Sequence, residues 1–173
     1  TNVAFLRTNI ETLPHFFAAN EIDEIWITFP DPQMKKATKR LTSTYFMLRY
    51  IQLLREDGIV HLKTDSPFLY TYTREMIRLN GYQVLADTSN LYAQPQNADA
   101  QALQTHYEHQ WLERGLTIKY LSWQLSHNTD LVEPTIEIEY DTYRSYGRNY
   151  TTQSTNNTNP SCNNTNPSCI LNK

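Results

Sequence analysis

Apolar positions along this chain switch repeatedly between the two-residue period of a strand and the longer period of a helix, which predicts an α/β fold around a mostly parallel sheet. The run at 3–6 (VAFL) reads as a short strand, and 10–20 as a helix with Leu13, Phe16 and Phe17 on its apolar face. Residues 22–29 bring Ile25, Trp26, Ile27 and Phe29 into a β-rich run expected to be buried on both faces, and Pro30 stops it. Next comes the clearest helix. Thr42 or Ser43 caps it, Phe46, Met47, Tyr50, Ile51, Leu53 and Leu54 recur at helical spacing, and Asp57-Gly58 turns the chain at its end.

The run at 59–62 (IVHL) predicts a strand leading to Lys63, Thr64 and Asp65. Ser66-Pro67 then opens a helix that Gly81 closes. Residues 82–85 read as a strand, 87–100 as a polar loop, 102–114 as a helix ended by Gly115, and 116–125 as a final strand. The Glu- and Tyr-rich stretch 126–149 adds one more strand expectation at 135–140. From 150 to 173 the sequence collapses to Thr, Asn, Ser and Pro, with NNTNPSC occurring at 156–162 and again at 163–169. Such a composition buries too little apolar surface to offset ordering entropy, so disorder is expected there. The organisation expected is therefore a domain over 1–125, an extension over 126–149 and a tail over 150–173.

Composition narrows the function classes. With a formal net charge of -3 and a pI near 5.9, the chain is not a globally basic nucleic-acid binder, so any RNA contact must be local. No apolar run is long enough to span a membrane. The opening residues Thr1, Asn2 and Val3 show neither a charged leader nor an initiator Met, and the chain reads as starting partway through a longer protein in a cytosolic setting. Cys162 and Cys169 lie in the polar tail without His beside them, and His15, His61, His106, His109 and His127 show no metal-ligand spacing, so no metal is expected.

Ligands of an open parallel sheet sit beyond the carboxyl ends of its strands. Three polar residues occupy such places: Asn9, Asp31 and Asp65. The stretch Thr28-Phe29-Pro30-Asp31-Pro32 carries the sharpest signal, because two prolines around one Asp stiffen the turn and fix where its carboxylate points. Taken alone, an Asp in a proline turn is as often a turn former or helix cap. Lys35, Lys36, Lys39 and Arg40 follow within a few residues. A charge run is usually a solvated face, but in an acidic chain this one would draw phosphates to the edge carrying Asp31 and almost nowhere else.

FPDP followed by KK and KR, then HLKTD, then Thr105-His106-Tyr107-Glu108, resembles the tRNA (guanine-N7)-methyltransferase family over about residues 3–125. The resemblance implies a Rossmann-like class I methyltransferase fold with helices on both faces of the sheet, S-adenosylmethionine as methyl donor, and N7 of a guanine in the tRNA variable loop as target. By position it implies that Asp31 is catalytic and also faces the donor, and that Asn9 holds the adenosine part of the donor. It makes Lys35, Asp65, Thr105 and Glu108 substrate contacts, and it makes Lys36, Lys39 and Arg40 RNA contacts. Where that family often places an aromatic residue after FPDP, this chain has Gln33. The only glycines, Gly58, Gly81, Gly115 and Gly147, are isolated, so the glycine-rich donor loop and the first strands of the fold are expected to be missing from this chain. Two other readings stand beside it. One is an exocyclic-amine methyltransferase, which wants consecutive prolines and an aromatic ring after its Asp or Asn. The other is a non-catalytic RNA-binding fragment or accessory subunit, expected to bind RNA through the lysines without binding the donor. Monomer and homodimer both remain open.

Overall fold

A computed structural model describes residues 2–93 and 95–142. The fold below is that of the compact unit Thr1–Tyr140. The tail and its repeat, for which disorder is expected, lie outside the described residues.

Four strands and four α-helices build this unit: β1 (Ile22–Thr28), α1 (Thr44–Leu53), β2 (Leu54–Thr64), α2 (Pro67–Leu79), β3 (Gln83–Thr88), α3 (Ala98–Ala102), α4 (His106–Glu113) and β4 (Lys119–Leu125). The sheet order is β1-β2-β4-β3. β1 and β2 pair in parallel, and β4 runs antiparallel to both β2 and β3. Three strands thus share one direction and the last in sequence is inserted against them, a mixed sheet of the α/β Rossmann-like class.

Side chains alternate across the sheet with the strand period. On one face Ile27, Val60, Leu62, Leu121, Trp123 and Leu125 meet Met47, Tyr50 and Ile51 of α1 and Leu69, Tyr72 and Met76 of α2. On the other face Tyr120 joins Leu91, Ala100 and Ile118, with Trp26, Trp111 and Leu112 packed against them. Trp26 stacks on His61 there at 3.9 Å between ring centroids. Helices therefore cover both faces, as expected.

The two best helix signals hold at their starts, but α1 ends at Leu53, short of the expected Asp57-Gly58 turn, and Leu54 belongs to the strand. Ser43 stands at the N-cap of α1, and the Ser66 hydroxyl accepts from the Leu69 amide at the start of α2. Gly81 takes φ +65 where α2 ends, a conformation that costs other residues a Cβ clash. β2 begins directly after α1, and Asp57 at φ +58 kinks the strand rather than ending the helix.

Five expectations are corrected. Residues 3–6 form no strand: Phe5 is 99% exposed, and an apolar run without a ladder partner leaves its backbone to water. The helix over 10–20 shrinks to a 3-10 turn, Ile10–His15, with Pro14 inside it and Phe16 exposed. β3 extends to Thr88 and is followed by α3, so 87–100 is not all loop. The helix over 102–114 is broken at 103–105 and restarts at His106 with a new cap. Residues 135–140 form no strand. Instead Leu131 and Ile138 pack on the first core, and Asn80 and Val132 bond each other's backbone and amide groups.

Candidate active site

The parallel pairing of β1 and β2 brings their carboxyl ends together. Thr28 lies in register with Lys63, and the Phe29 amide donates to the Lys63 carbonyl at 2.8 Å. Lys119, the first residue of β4, pairs with Thr64, and Thr88, the last of β3, pairs with Tyr120. The continuations carrying Asp31, Asp65 and the segment 89–118 all leave from this one edge.

Asp31 is exposed, on a turn whose Pro32 is buried. Its carboxylate accepts the Gln33 amide at 3.0 Å, which fixes where the side chain points. Phe29 (φ 50) and Gln33 (φ 46) flank it, both in the left-handed region that costs a residue with a Cβ about 1–3 kcal/mol. Backbone strain of this kind persists only where neighbours over-determine it. Here Pro30 and Pro32 restrict the turn, and Arg40 grips it from behind.

Arg40 differs from its expected role as an RNA contact. It is 7% exposed, its Nε donating to the carbonyls of Pro32 (3.3 Å) and Gln33 (3.2 Å) and its Nη2 to that of Met34 (2.8 Å). The guanidinium also lies over the rings of Phe68 and Tyr72. In this arrangement the charge holds the turn that carries Asp31. Lys35, Lys36 and Lys39 do face solvent, and Lys39 stands 3.6 Å from Glu11. At an exposed pair this contributes little and leaves the local charge positive.

Asn9 caps the 3-10 turn, its side chain accepting from the Glu11 amide at 3.1 Å. Through Glu11 this turn reaches Lys39 and the Tyr45 hydroxyl, so Asn9 sits on the α1 side of the lysine cluster. Asp65 is 1% exposed, and the Lys119 ammonium donates to its main-chain carbonyl at 3.1 Å.

Thr105 and Glu108 form a capping box on α4: the Thr105 hydroxyl accepts from the Glu108 amide, and the Glu108 carboxylate accepts from the Thr105 amide. Glu108 is wholly buried beside a residue that sequence reasoning passed over, Lys63, also wholly buried at 2.7 Å. The Lys63 ammonium donates further to the carbonyls of Ala100 (2.8 Å) and Leu103 (2.9 Å), and the Tyr92 hydroxyl donates to Glu108 at 2.7 Å. Burial, then the Glu108 hydrogen bond, raises the Tyr92 hydroxyl above its ordinary pKa. Glu108, expected as a substrate contact, is thus bonded here to Lys63, the Tyr92 hydroxyl and the Thr105 amide. The signal for Lys63 was present: within HLKTD it shares a strand face with His61, between inward-facing Leu62 and buried Thr64, and a buried lysine requires an acid.

The described glycines are isolated: Gly81 follows α2, Gly115 follows α4, and a Cβ on Gly58 would fall 2.5 Å from the Leu54 side chain and 2.9 Å from the Arg55 carbonyl. The exposed Asp31 carboxylate thus fits one flank of a cationic donor, and the described residues supply no glycine cradle for it.

A methyltransferase family model, described as "Putative methyltransferase", matches residues 1–121. The chain is 58% identical over 148 residues to the tRNA (guanine-N(7)-)-methyltransferase of Bacteroides thetaiotaomicron, covering 86% of this chain and 59% of the relative. It is 58% identical to that of Bacteroides fragilis over the same shares, and 54% identical to that of Porphyromonas gingivalis over 89% of this chain and 64% of the relative. The chain therefore spans about three fifths of the length of the curated relatives it matches.

Proposed function

We propose, from the premise that this chain belongs to the methyltransferase family that matches residues 1–121, that its protein transfers a methyl group from S-adenosylmethionine to N7 of a guanine in tRNA. The observation that carries the reading is Asp31, exposed on a rigid turn at the carboxyl edge of β1 and β2, with Lys35, Lys36 and Lys39 directly after it. The names of the relatives above agree with it. S-adenosylmethionine, when bound, supplies an electrophilic methyl group, and Asp31 with Asn9 would stand on its side of the cleft.

Guanine N7 carries an in-plane lone pair and no proton, so the reaction needs no general base. Position and charge do the work. Asp31 accepts from N1 and the exocyclic amine of the guanine, and its negative charge stabilises the purine as positive charge develops on the ring. Lys35, Lys36 and Lys39 hold the flanking phosphates while the base leaves its stack, at a cost of a few kcal/mol. Thr105 and Asp65 complete the guanine side of the site. We place the protein in the cytoplasm by its resemblance to tRNA-modifying enzymes; among the described residues no helix is long and apolar enough to cross a membrane.

The test is methylation of unmodified tRNA by the intact protein, followed by chemical cleavage specific for N7-methylguanine. Asp31→Asn is expected to lower turnover at least about a hundredfold, as loss of a group acting on developing charge does, with tRNA affinity retained. Near-normal turnover in that variant would remove Asp31 from the chemistry. Methylation of an exocyclic amine would replace the assigned reaction, and tRNA binding without donor binding would favour an accessory subunit.

A further inference from the structure

Gln33, Met34 and Pro32 present three consecutive carbonyls to one side chain, the Arg40 guanidinium, at 3.2, 2.8 and 3.3 Å. Asp31 and Lys35 bracket these three residues. We infer that Arg40 is a positioning residue that sets the relation between Asp31 and Lys35, and that the segment around Glu133 braces it through Tyr72. The inference rests on the proposed role of Asp31 for its functional meaning, while the geometry stands independently.

The physical case begins at Gln33. Its φ of 46 points its carbonyl off the line a relaxed turn would give. That carbonyl accepts from Arg40 Nε on one side and from the Lys36 amide at 3.0 Å on the other. The Gln33 amide is already committed to the Asp31 carboxylate. Through the Pro32 carbonyl Arg40 holds the peptide unit whose amide bonds the Asp31 side chain, and through the Gln33 carbonyl it holds the next one. A planar fork with fixed donor directions can serve three carbonyls at once, whereas a lysine offers a point charge on a flexible stem.

Arg40 is itself held. Its guanidinium lies 4.4 Å from the Tyr72 ring centroid and 4.8 Å from that of Phe68. The Tyr72 hydroxyl donates to Glu133, whose other oxygen accepts the Thr44 amide (3.2 Å) and hydroxyl (2.7 Å) at the start of α1. Ser43, at the N-cap, makes no side-chain capping bond, so Glu133 does that work from 89 positions away. A chain of contacts therefore runs from Glu133 through Tyr72 and Arg40 to the turn that carries Asp31. It gives a function to part of the stretch 126–149.

Amide hydrogen exchange on the intact protein tests this, comparing the parent with Arg40→Ala, Arg40→Lys and Glu133→Gln. Exchange at the Gln33 and Lys36 amides is expected to speed up about tenfold or more in Arg40→Ala, with the amides of β2 and β4 changing less than about twofold. Millimolar methylguanidinium, which carries the group that Arg40 sets over the Phe68 and Tyr72 rings, is expected to restore the slow exchange. Arg40→Lys, which keeps the charge and stem, is expected to show the same local pattern and serves if the alanine variant does not fold. Glu133→Gln is expected to loosen the same two amides by a smaller factor. Unchanged exchange at Gln33 and Lys36, or a loss of protection spread evenly over the sheet that methylguanidinium leaves untouched, overturns the assignment. Titration of tRNA into the same samples keeps the two readings apart. If the intact parent protein binds no tRNA, the functional proposal fails while the exchange result still decides the role of Arg40.

Discussion

Replacing Lys63 by Met removes the cation from a pair in which both side chains are wholly buried. Glu108 is left with the Tyr92 hydroxyl and the Thr105 amide against a full charge, and the Ala100 and Leu103 carbonyls lose their donor. Breaking a buried pair from one side costs about 3–5 kcal/mol, because the surviving charge stays desolvated. For a domain of this size each kcal/mol lowers Tm by about 3 °C, so Lys63→Met is expected to melt about 10–15 °C below the parent. Urea unfolding followed by circular dichroism checks the free energy, and a double-mutant cycle checks its origin. Removing both charges in Lys63→Met/Glu108→Gln should cost clearly less than the sum of the single changes, with a coupling of at least about 1 kcal/mol. A loss under about 1 kcal/mol in Lys63→Met, or additive single effects, would refute the claim that this pair fastens the segment 98–113 to β2.

Glu133→Ala leaves the Tyr72 hydroxyl and the Thr44 amide without their acceptor, and equilibrium unfolding should show a loss of about 1–2 kcal/mol. Burial pushes the His61 pKa below its ordinary value, with Glu24 pulling partly the other way, so the folded protein holds this ring neutral. The unfolded chain takes up that proton near pH about 6.5, so this stability is present above that pH and is lost as pH falls toward the folded pKa. His61→Phe, which keeps a ring over Trp26, should flatten that part of the acid limb in unfolding measured between about pH 7.5 and pH 5. Changing Lys35, Lys36 and Lys39 together to Gln should reduce the slope of log affinity for tRNA against log salt by about two to three units, and an unchanged slope would place RNA elsewhere.

Local chemistry was what the sequence displayed best. Ser66-Pro67 at one end and Gly81 at the other mark α2 because capping and left-handed backbone are local events. Asp31, Asp65 and the lysines were legible as residues beyond strand ends, and the β1–β2 pairing puts them on one edge. Burial was not legible. Arg40 reads like Lys39, yet its fate depends on Phe68 and Tyr72, some thirty positions along the chain. Residues 3–6 look like a strand because a strand's pattern says nothing of whether a neighbour exists to bond it. Glu133 gave no periodic signal because its partners lie on α1 and α2 rather than on its own segment.

The reversed direction of β4 has a consequence for how such a site can change. Because β4 runs against β3, residues 89–118 depart and return at one rim of the sheet, and the Leu91 amide closes their neck on the Ile118 carbonyl at 2.7 Å. A closed excursion of this kind lengthens cheaply, at about 0.6 kcal/mol of closure entropy for each doubling. Insertions and deletions there spare every ladder bond of the sheet. The segment can therefore diverge in length and sequence while the strands below it stay as they are, provided the lysine beneath it keeps its acid.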